Sequence, residues 1–465
     1  MSISVYDRSR ALATQWYAAT PDAETYGYGE SLVRFGVAQR IRSWDWQLEL
    51  SSPAELGLPS DAVSTVSAQG QLGLGGTYYA SNANNTNPAA ASLKQGYVRY
   101  RFGEQDKSIR LGRFEFIDGQ ETQPKDTGIA WLQANRISHR LNGNFGFSNA
   151  QRSFDGADAH WGSGSFDLTA LAARADQGVY NMNANPELNV DVQYLAATQS
   201  ALGGHLLLRA FGMDYHDGRT RLTKTDNRAL ASRAADHHNI RIGSYGGDLV
   251  ATVPAGAGRF DLLFWGALQS GQWGAQSHSA GAVALEAGYQ LANLRSAPWL
   301  RGGWFRSTGD SNSSDNKHNT FFQVLPTPRT YAQFPFYNLM NSTDGFVQVL
   351  DAPGKKIHIR SDLHWLQLTS NHDLWYQGGG AFDSKVFGYT GRPANLHHSF
   401  ASVIDASLDW QITKPIDVNF YYAKSYGKSV IAAIYPQTTN AQFGYVEFVY
   451  RWGLSQGDNS SANRK

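Results

Sequence analysis

Along most of its length the chain alternates apolar and polar side chains at every second residue, the period of an extended strand. Trp44, Trp46, Leu48 and Leu50 are apolar, with Asp45, Gln47 and Glu49 between them. Val98, Tyr100 and Phe102 alternate with Arg99 and Arg101, and Leu188, Val190, Val192 and Tyr194 with Asn189, Asp191 and Gln193. Ile404 to Ile412, Ile416 to Tyr422 and Val446 to Trp452 repeat the pattern, and no long helical period intervenes. A further strand is expected around Leu12 to Ala18. Many runs reach roughly 10 residues, which suits a strand crossing a bilayer at a tilt. Strands of soluble sheets are shorter, near 5–6 residues.

The connections differ systematically in length. Tight joins are expected near Arg42-Ser43, Gly103 to Lys107, Gly162-Ser163 and Ala201 to Gly204, and again near Ala255 to Gly258, Ala292 to Ala297, Pro353 to Lys355 and Thr413 to Pro415. Long polar stretches lie between them, at 51–92, 119–151, 176–186, 216–237, 310–343, 369–397 and 428–440. Short turns on one side and long loops on the other mark an all-β, antiparallel transmembrane barrel with periplasmic turns and extracellular loops. Pairing strands at the tight turns gives about 18 of them. The chain then reads as a single barrel domain over 1–465, with strands across about 10–452 and a tail from 453 to 465. A propeller would show a repeat of roughly 40–50 residues, which is missing here.

Composition narrows the alternatives. The 465 residues include 40 basic and 39 acidic side chains, a net charge of +1 that argues against a nucleic-acid binder. A mean hydropathy of −0.42 excludes a helical membrane bundle. With 59 aromatic residues (13 Trp, 23 Tyr and 23 Phe), disorder is excluded too. Cysteine is absent, which removes disulfides, thiolate metal sites and cysteine nucleophiles. The first residues, Met1 to Arg8, carry no secretory signal, leaving a cytosolic protein or a mature or recombinant form whose signal is gone. The barrel pattern decides against the cytosol and points to the bacterial outer membrane.

If the apolar face meets lipid, the other face lines the lumen, because Arg or Lys facing lipid at the midplane costs about 2–4 kcal/mol. That phase turns Arg34, Arg40, Arg99, Arg101, Arg110, Arg241 and Arg360 inward, with His358 and His364. Arg113 joins the expected pore lining, although Arg113 and Glu115 break the alternation, so a bulge or a strand end is expected there. The acidic partners on the same face are Asp45, Glu49, Asp158, Asp191, Glu286, Asp362, Asp405, Asp409, Asp417 and Glu447. Arginines in one band would make an anion-selective constriction, because the guanidinium fork grips carboxylates and keeps its charge. The same residues read equally as a cross-strand charge ladder contributing rigidity. Arg152 and Asp155 are expected to hold a loop–strand corner. Trp44, Trp161, Trp299, Trp410 and Trp452 fit an interfacial girdle.

Catalytic signatures are missing: there is no Gly-x-Ser-x-Gly, no His-Glu-x-x-His and no phosphate-binding loop. Gly73-Leu74-Gly75-Gly76 is glycine-rich, but no helix is expected after it. His237-His238 and His397-His398 read as loop histidines, because neighbours in a strand point to opposite faces. No cofactor, metal or enzymatic activity is expected. The loop 310–343 carries Phe321, Phe322, Tyr331, Phe334, Phe336 and Tyr337, which would plug the barrel, stack on sugars, pack on neighbouring loops outside or touch a partner protein.

Several segments in order carry a family likeness. They are Ile109-Arg110-Leu111-Gly112-Arg113-Phe114-Glu115, Asn149-Ala150-Gln151-Arg152-Ser153-Phe154-Asp155-Gly156, Leu285-Glu286-Ala287-Gly288-Tyr289, and Ser307-Thr308-Gly309-Asp310 before Thr320-Phe321-Phe322 and Leu325-Pro326. This order, from about Trp16 to Trp452, resembles the alginate-export family of outer-membrane channels. The resemblance implies an 18-stranded Gram-negative barrel passing an anionic uronic-acid polysaccharide through an arginine-lined lumen. Phe114 departs from it, standing where the family usually carries glutamine, and so does the stretch beyond Trp452. The expected function is therefore passive passage of an anionic polysaccharide, oligosaccharide or small anionic solute. The alternatives are a general porin without anion selectivity, or a structural barrel anchoring a periplasmic or surface partner.

Overall fold

The structure is a computed structural model that describes residues 1–18, 25–66, 68–103, 107–291, 293–327 and 332–455. Eighteen strands form one closed antiparallel barrel. They are β1 Ser2–Gln15, β2 Thr25–Ile41, β3 Trp44–Leu56, β4 Ser92–Arg101, β5 Lys107–Phe114 and β6 Phe154–Ser163. Next come β7 Phe166–Asp176, β8 Glu187–Ala201, β9 Leu206–Asp217, β10 Ile240–Ala255, β11 Gly258–Trp273 and β12 Gln276–Gln290. The last are β13 Trp299–Ser307, β14 Ser342–Gly354, β15 Ile357–Leu368, β16 Ser399–Thr413, β17 Ile416–Gly427 and β18 Asn440–Ser455. Each strand pairs with its sequence neighbour, and β1 pairs with β18 from Ser2↔Ser455 to Gln15↔Gln442, which closes the barrel. Closure leaves no unpaired edge in the bilayer. The first strand begins ten residues before the expected Leu12. The last runs through Gly453 to Ser455, where a tail was expected, and residues 456–465 lie outside the described ones.

All eight tight joins fall between successive strands at one end of the barrel. The join expected at Gly162-Ser163 sits two residues later, at Gly164-Ser165, where Gly164 takes a left-handed φ of 63° and a side chain would strain. The opposite end carries the long loops. One connection there escapes the sequence pattern, a two-residue turn at Gly274-Ala275 joining β11 to β12.

The outer face follows the alternation through the lower wall. Val33 and Phe35, Leu48 and Leu50, Ile109 and Leu111, and Phe260, Leu262 and Phe264 are exposed to where lipid lies. Trp44, Trp161, Trp410 and Trp452 stand exposed near the turn end as an interfacial girdle. Trp299 does not join them: it is buried, and its indole Nε1–H donates to Asp261 Oδ2 at 2.7 Å.

Wall height varies around the circumference. β5 has only 8 residues, while β10 and β11 have 16 each. Short helices sit in the loops: α1 Leu74–Ser81, α2 Thr127–Leu132, α3 Leu230–Ala234 and α4 Ser429–Ile434. The first of these corrects the glycine-run expectation, because a helix does follow Gly73. It lies so close to its own loop that a Cβ on Gly76 would fall 2.1 Å from the Ala62 carbonyl oxygen.

Candidate pore and the loops inside it

Two long loops run inward. The 115–153 connection between β5 and β6 enters the barrel, and Ile129, Leu132, Arg136, Ile137, Arg140, Leu141 and Asn142 on it are all buried. The 308–341 connection joins it there: Phe321, Phe322, Phe334, Phe336 and Tyr337 are buried, with Phe321 and Phe322 against Trp265 and Trp273 of β11 and Phe334 against Trp16 just past β1. The described aromatics of that loop pack inward, as the plug reading expects; Tyr331 lies outside the described residues.

Charged side chains hold the first loop in place. Arg8 of β1 donates to the carbonyl oxygens of Gly146, Phe147 and Ser148 and to Asn149 Oδ1, at 2.7–3.2 Å. Arg10 reaches the Phe147 carbonyl at 3.1 Å while pairing Glu30 at 2.6 Å and Glu447 of β18. Across the barrel, Glu286 of β12 accepts from Arg136 at 2.8 Å and Arg140 at 3.3 Å on the loop, and from Arg301 of β13 at 3.1 Å. Arg209 of β9 pairs Asp248 at 2.7 Å and the loop's Glu121 at 3.2 Å. Arg209 and Arg301 are absent from the residues expected inside, although strand phase points to both, since each stands beside an exposed Leu208 or Leu300. Arg136 and Arg140 sit in a loop, where strand phase has no meaning. Arg8 and Arg10 were hidden because the outer face of β1 is built of small Ser9, Ala11 and Ala13.

Arg152 ties the loops to one another. Its fully buried guanidinium donates to the carbonyls of Gly143, Leu325, Gly379 and Ala381 at 2.6–3.2 Å, joining 115–153, 308–341 and 369–398. The expected loop–strand corner is instead a junction of three loops, and Asp155 stands apart from it, paired with Arg113 on the outer face. Burial pulls the Arg152 pKa down to about 10, so the charge persists at neutral pH.

Toward the turn end the inward face is partly accessible. Arg34 bridges Glu49 at 3.3 Å and the loop's Glu115 at 3.4 Å. Arg101 meets Asp45 at 2.6 Å, Arg99 meets it at 3.8 Å, and Arg110 Nε donates to Asp158 at 2.9 Å. Arg40 shares this face and stands opposite Asp45 near the rim. Arg360 pairs Asp362 at 2.5 Å and sits on the opposite wall; Asp362 itself is buried, as is Glu286. Arg451, on the same face as Glu447, pairs with Asp417 and extends this row.

Three expected pore residues belong elsewhere. Arg113, Asp191 and Arg241 face outward, in a row of directly opposed residues that runs Arg113, Asp155, Arg174, Asp191, His216, Arg241 from β5 to β10. The Arg241 side chain is 69% exposed. Here the lumen is filled by loops, so the inward positions are the apolar ones: Phe114, Phe154, Val190, Val192, Ile240 and Ile242 are buried. The rule "apolar out, charged in" inverts when protein replaces water inside. The break of alternation at Arg113 is a strand end, with Phe114 the last residue of β5.

A family model for alginate export matches residues 64–433, most of the chain. The chain belongs to the alginate export family. It is accordingly a bacterial outer-membrane barrel of a channel family, set in a lipid bilayer and passing solute, with no enzymatic role; its turns are periplasmic and its loops extracellular. Solved structures share the fold at low identity. Pseudomonas aeruginosa OccK1 (OpdK) superposes with a TM-score of 0.57 at 8% identity, covering 97% of this chain and 98% of that one. Acinetobacter baumannii OccAB2 gives 0.59 at 9%, covering 97% and 98%. A structure of Pseudomonas aeruginosa OpdK with vanillate gives 0.58 at 7%, covering 97% and 99%. No curated protein matches the chain in sequence.

The inner loop of this family member also carries a titrating group. Asp118 accepts the backbone N–H groups of Asn142 and Leu141 at 2.8 and 3.3 Å, and burial pushes its pKa up to about 7. The folded protein therefore holds this proton more tightly than the unfolded chain, and its contribution to stability falls as pH rises from about 4 to about 7. Asp118→Asn removes that penalty. Its melting midpoint should exceed the wild type's by several degrees at pH 8, and the two should converge near pH 4. Parallel curves across that range, followed by circular dichroism in detergent, would place the carboxylate's titration elsewhere.

Proposed function

We propose that the barrel is a passive channel for anionic solutes of small to oligosaccharide size, with Arg34, Arg40, Arg99, Arg101 and Arg110 supplying the anion preference on the periplasmic side. The supporting observation is their position: five inward arginines on β2, β4 and β5 face four carboxylates, Asp45, Glu49 and Asp158 on strands and Glu115 on the inner loop. Each pairing neutralises part of the field, so the excess of arginine sets the sign. The two loops packed across the lumen favour small solutes over a polymer. A plugged barrel that anchors a partner is the second reading, supported by the buried clamp at Arg152. Planar-bilayer currents separate the two. Under a salt gradient the wild type should prefer anions, and Arg99→Gln/Arg101→Gln/Arg110→Gln should move the reversal potential toward cations. An unchanged potential in the triple variant removes these arginines from the path, and a silent wild type favours the anchor.

A further inference from the structure

We infer that the extracellular loops form a binding pocket for a small organic anion, one whose charged group sits on a single six-membered ring. A cavity of about 460 Å³ opens between the connections that follow β1, β3, β7, β9, β13 and β15. Its floor is buried and largely aromatic, with Trp16, Leu74 and Tyr389. Its mouth is exposed and carries Arg221 and Lys385. Among the described residues, no Asp or Glu lines the cavity. The nearest carboxylate in sequence, Asp383, is committed to the Asn181 side chain at 2.6 Å and the Lys385 backbone N–H at 2.6 Å.

Two cations over an aromatic floor, without an acid to neutralise them, select a ligand with an anionic head and a flat body. The guanidinium fork of Arg221 matches a carboxylate in shape as well as charge. The aromatic floor offers faces to either an aromatic ring or the apolar face of a sugar. Threonine hydroxyls at Thr77 and Thr223 provide polar contacts at the sides. The volume admits one or two rings and excludes a polymer. This pocket lies at the opposite end of the barrel from the arginines on β2, β4 and β5. It rests on the anion-channel reading for its physiological meaning, while binding itself is read without any current.

The test is isothermal titration of the full-length protein in detergent with benzoate, glucuronate, and their neutral counterparts benzyl alcohol and glucose. Saturable binding of benzoate or glucuronate, weakened at least tenfold in Arg221→Gln/Lys385→Gln, supports the pocket, and whichever anion binds names the source of the ring. Thr223→Trp, which fills the mouth without touching the barrel, should abolish binding and leave the heat-modifiable folded band intact. Absence of saturation with both anions overturns the proposal. So does equal binding of the neutral counterparts, or undiminished binding in the double variant. Anion binding in a channel whose reversal potential ignores the Arg99, Arg101 and Arg110 changes would sink the selectivity reading alone.

Discussion

Replacing Arg152 with alanine should convert a closely packed lumen into an open one, with single-channel conductance rising several-fold. The guanidinium satisfies carbonyls of Gly143, Leu325, Gly379 and Ala381 from three loops in a site closed to water. Removing it strands the Gly143, Gly379 and Ala381 oxygens, while Leu325 keeps the Gly143 N–H at 2.8 Å, and each buried unpaired group costs about 1–3 kcal/mol. The loops have a cheaper course than bearing that cost, which is to separate and let water reach the carbonyls. The barrel strands keep their own ladders, so the variant should still fold and migrate as a heat-modifiable band. Conductance equal to wild type in a folded Arg152→Ala barrel would show that the loops stay together without the clamp.

The second large effect is expected at Glu286. Its carboxylate faces Arg136, Arg140 and Arg301, all fully buried, with Asp261 as the other acid at Arg301. Glu286→Ala leaves three buried guanidiniums without their shared anion. Breaking one buried ion pair by deleting a partner costs about 3–5 kcal/mol, and here the remaining charges also repel. Arg301 is fixed on β13, whereas Arg136 and Arg140 ride on the loop. The loop should therefore yield first, withdrawing α2 from the wall. Proteolysis of the folded barrel reads this directly: rapid new cleavage within 127–141 is expected in Glu286→Ala, and little in Glu286→Gln, which keeps an acceptor in place. Equal protection of wild type and both variants would mean that packing of Ile129, Leu132 and Ile137 suffices to hold the segment.

Much of this architecture was legible in the alternation itself. Ile404 to Ile412 and Ile109 to Leu111 report their facing correctly because lipid lies on one side and water or charge on the other. Leu188 to Tyr194 and Ile240 to Ile242 alternate just as regularly and face the other way. Period 2 tells which residues share a face, and what lies against that face decides which is inside. That depends on loops whose course no local pattern encodes. The anchoring arginines show both cases: Arg209 and Arg301 obey strand phase, while Arg136, Arg140 and Arg152 are placed by tertiary contacts alone. The helix after Gly73 escaped for a related reason, since its eight residues are held by packing on Ala62 more than by any apolar stripe of their own.

The uneven wall has a consequence for the surrounding lipid. At about 3.3 Å per residue and a tilt near 45°, the 8 residues of β5 rise about 19 Å, and the 16 of β11 about 37 Å. An apolar band about 25 Å tall fits easily against β11 and overshoots β5. On β5 only Ile109 and Leu111 face outward between Lys107 and Arg113, so acyl chains have two residues to rest on. Either the leaflet thins along that arc or the whole cylinder leans to lower its tall side. In both cases the molecule is a wedge in its bilayer, with one preferred azimuth toward thinner membrane and toward any neighbour that relieves the same strain.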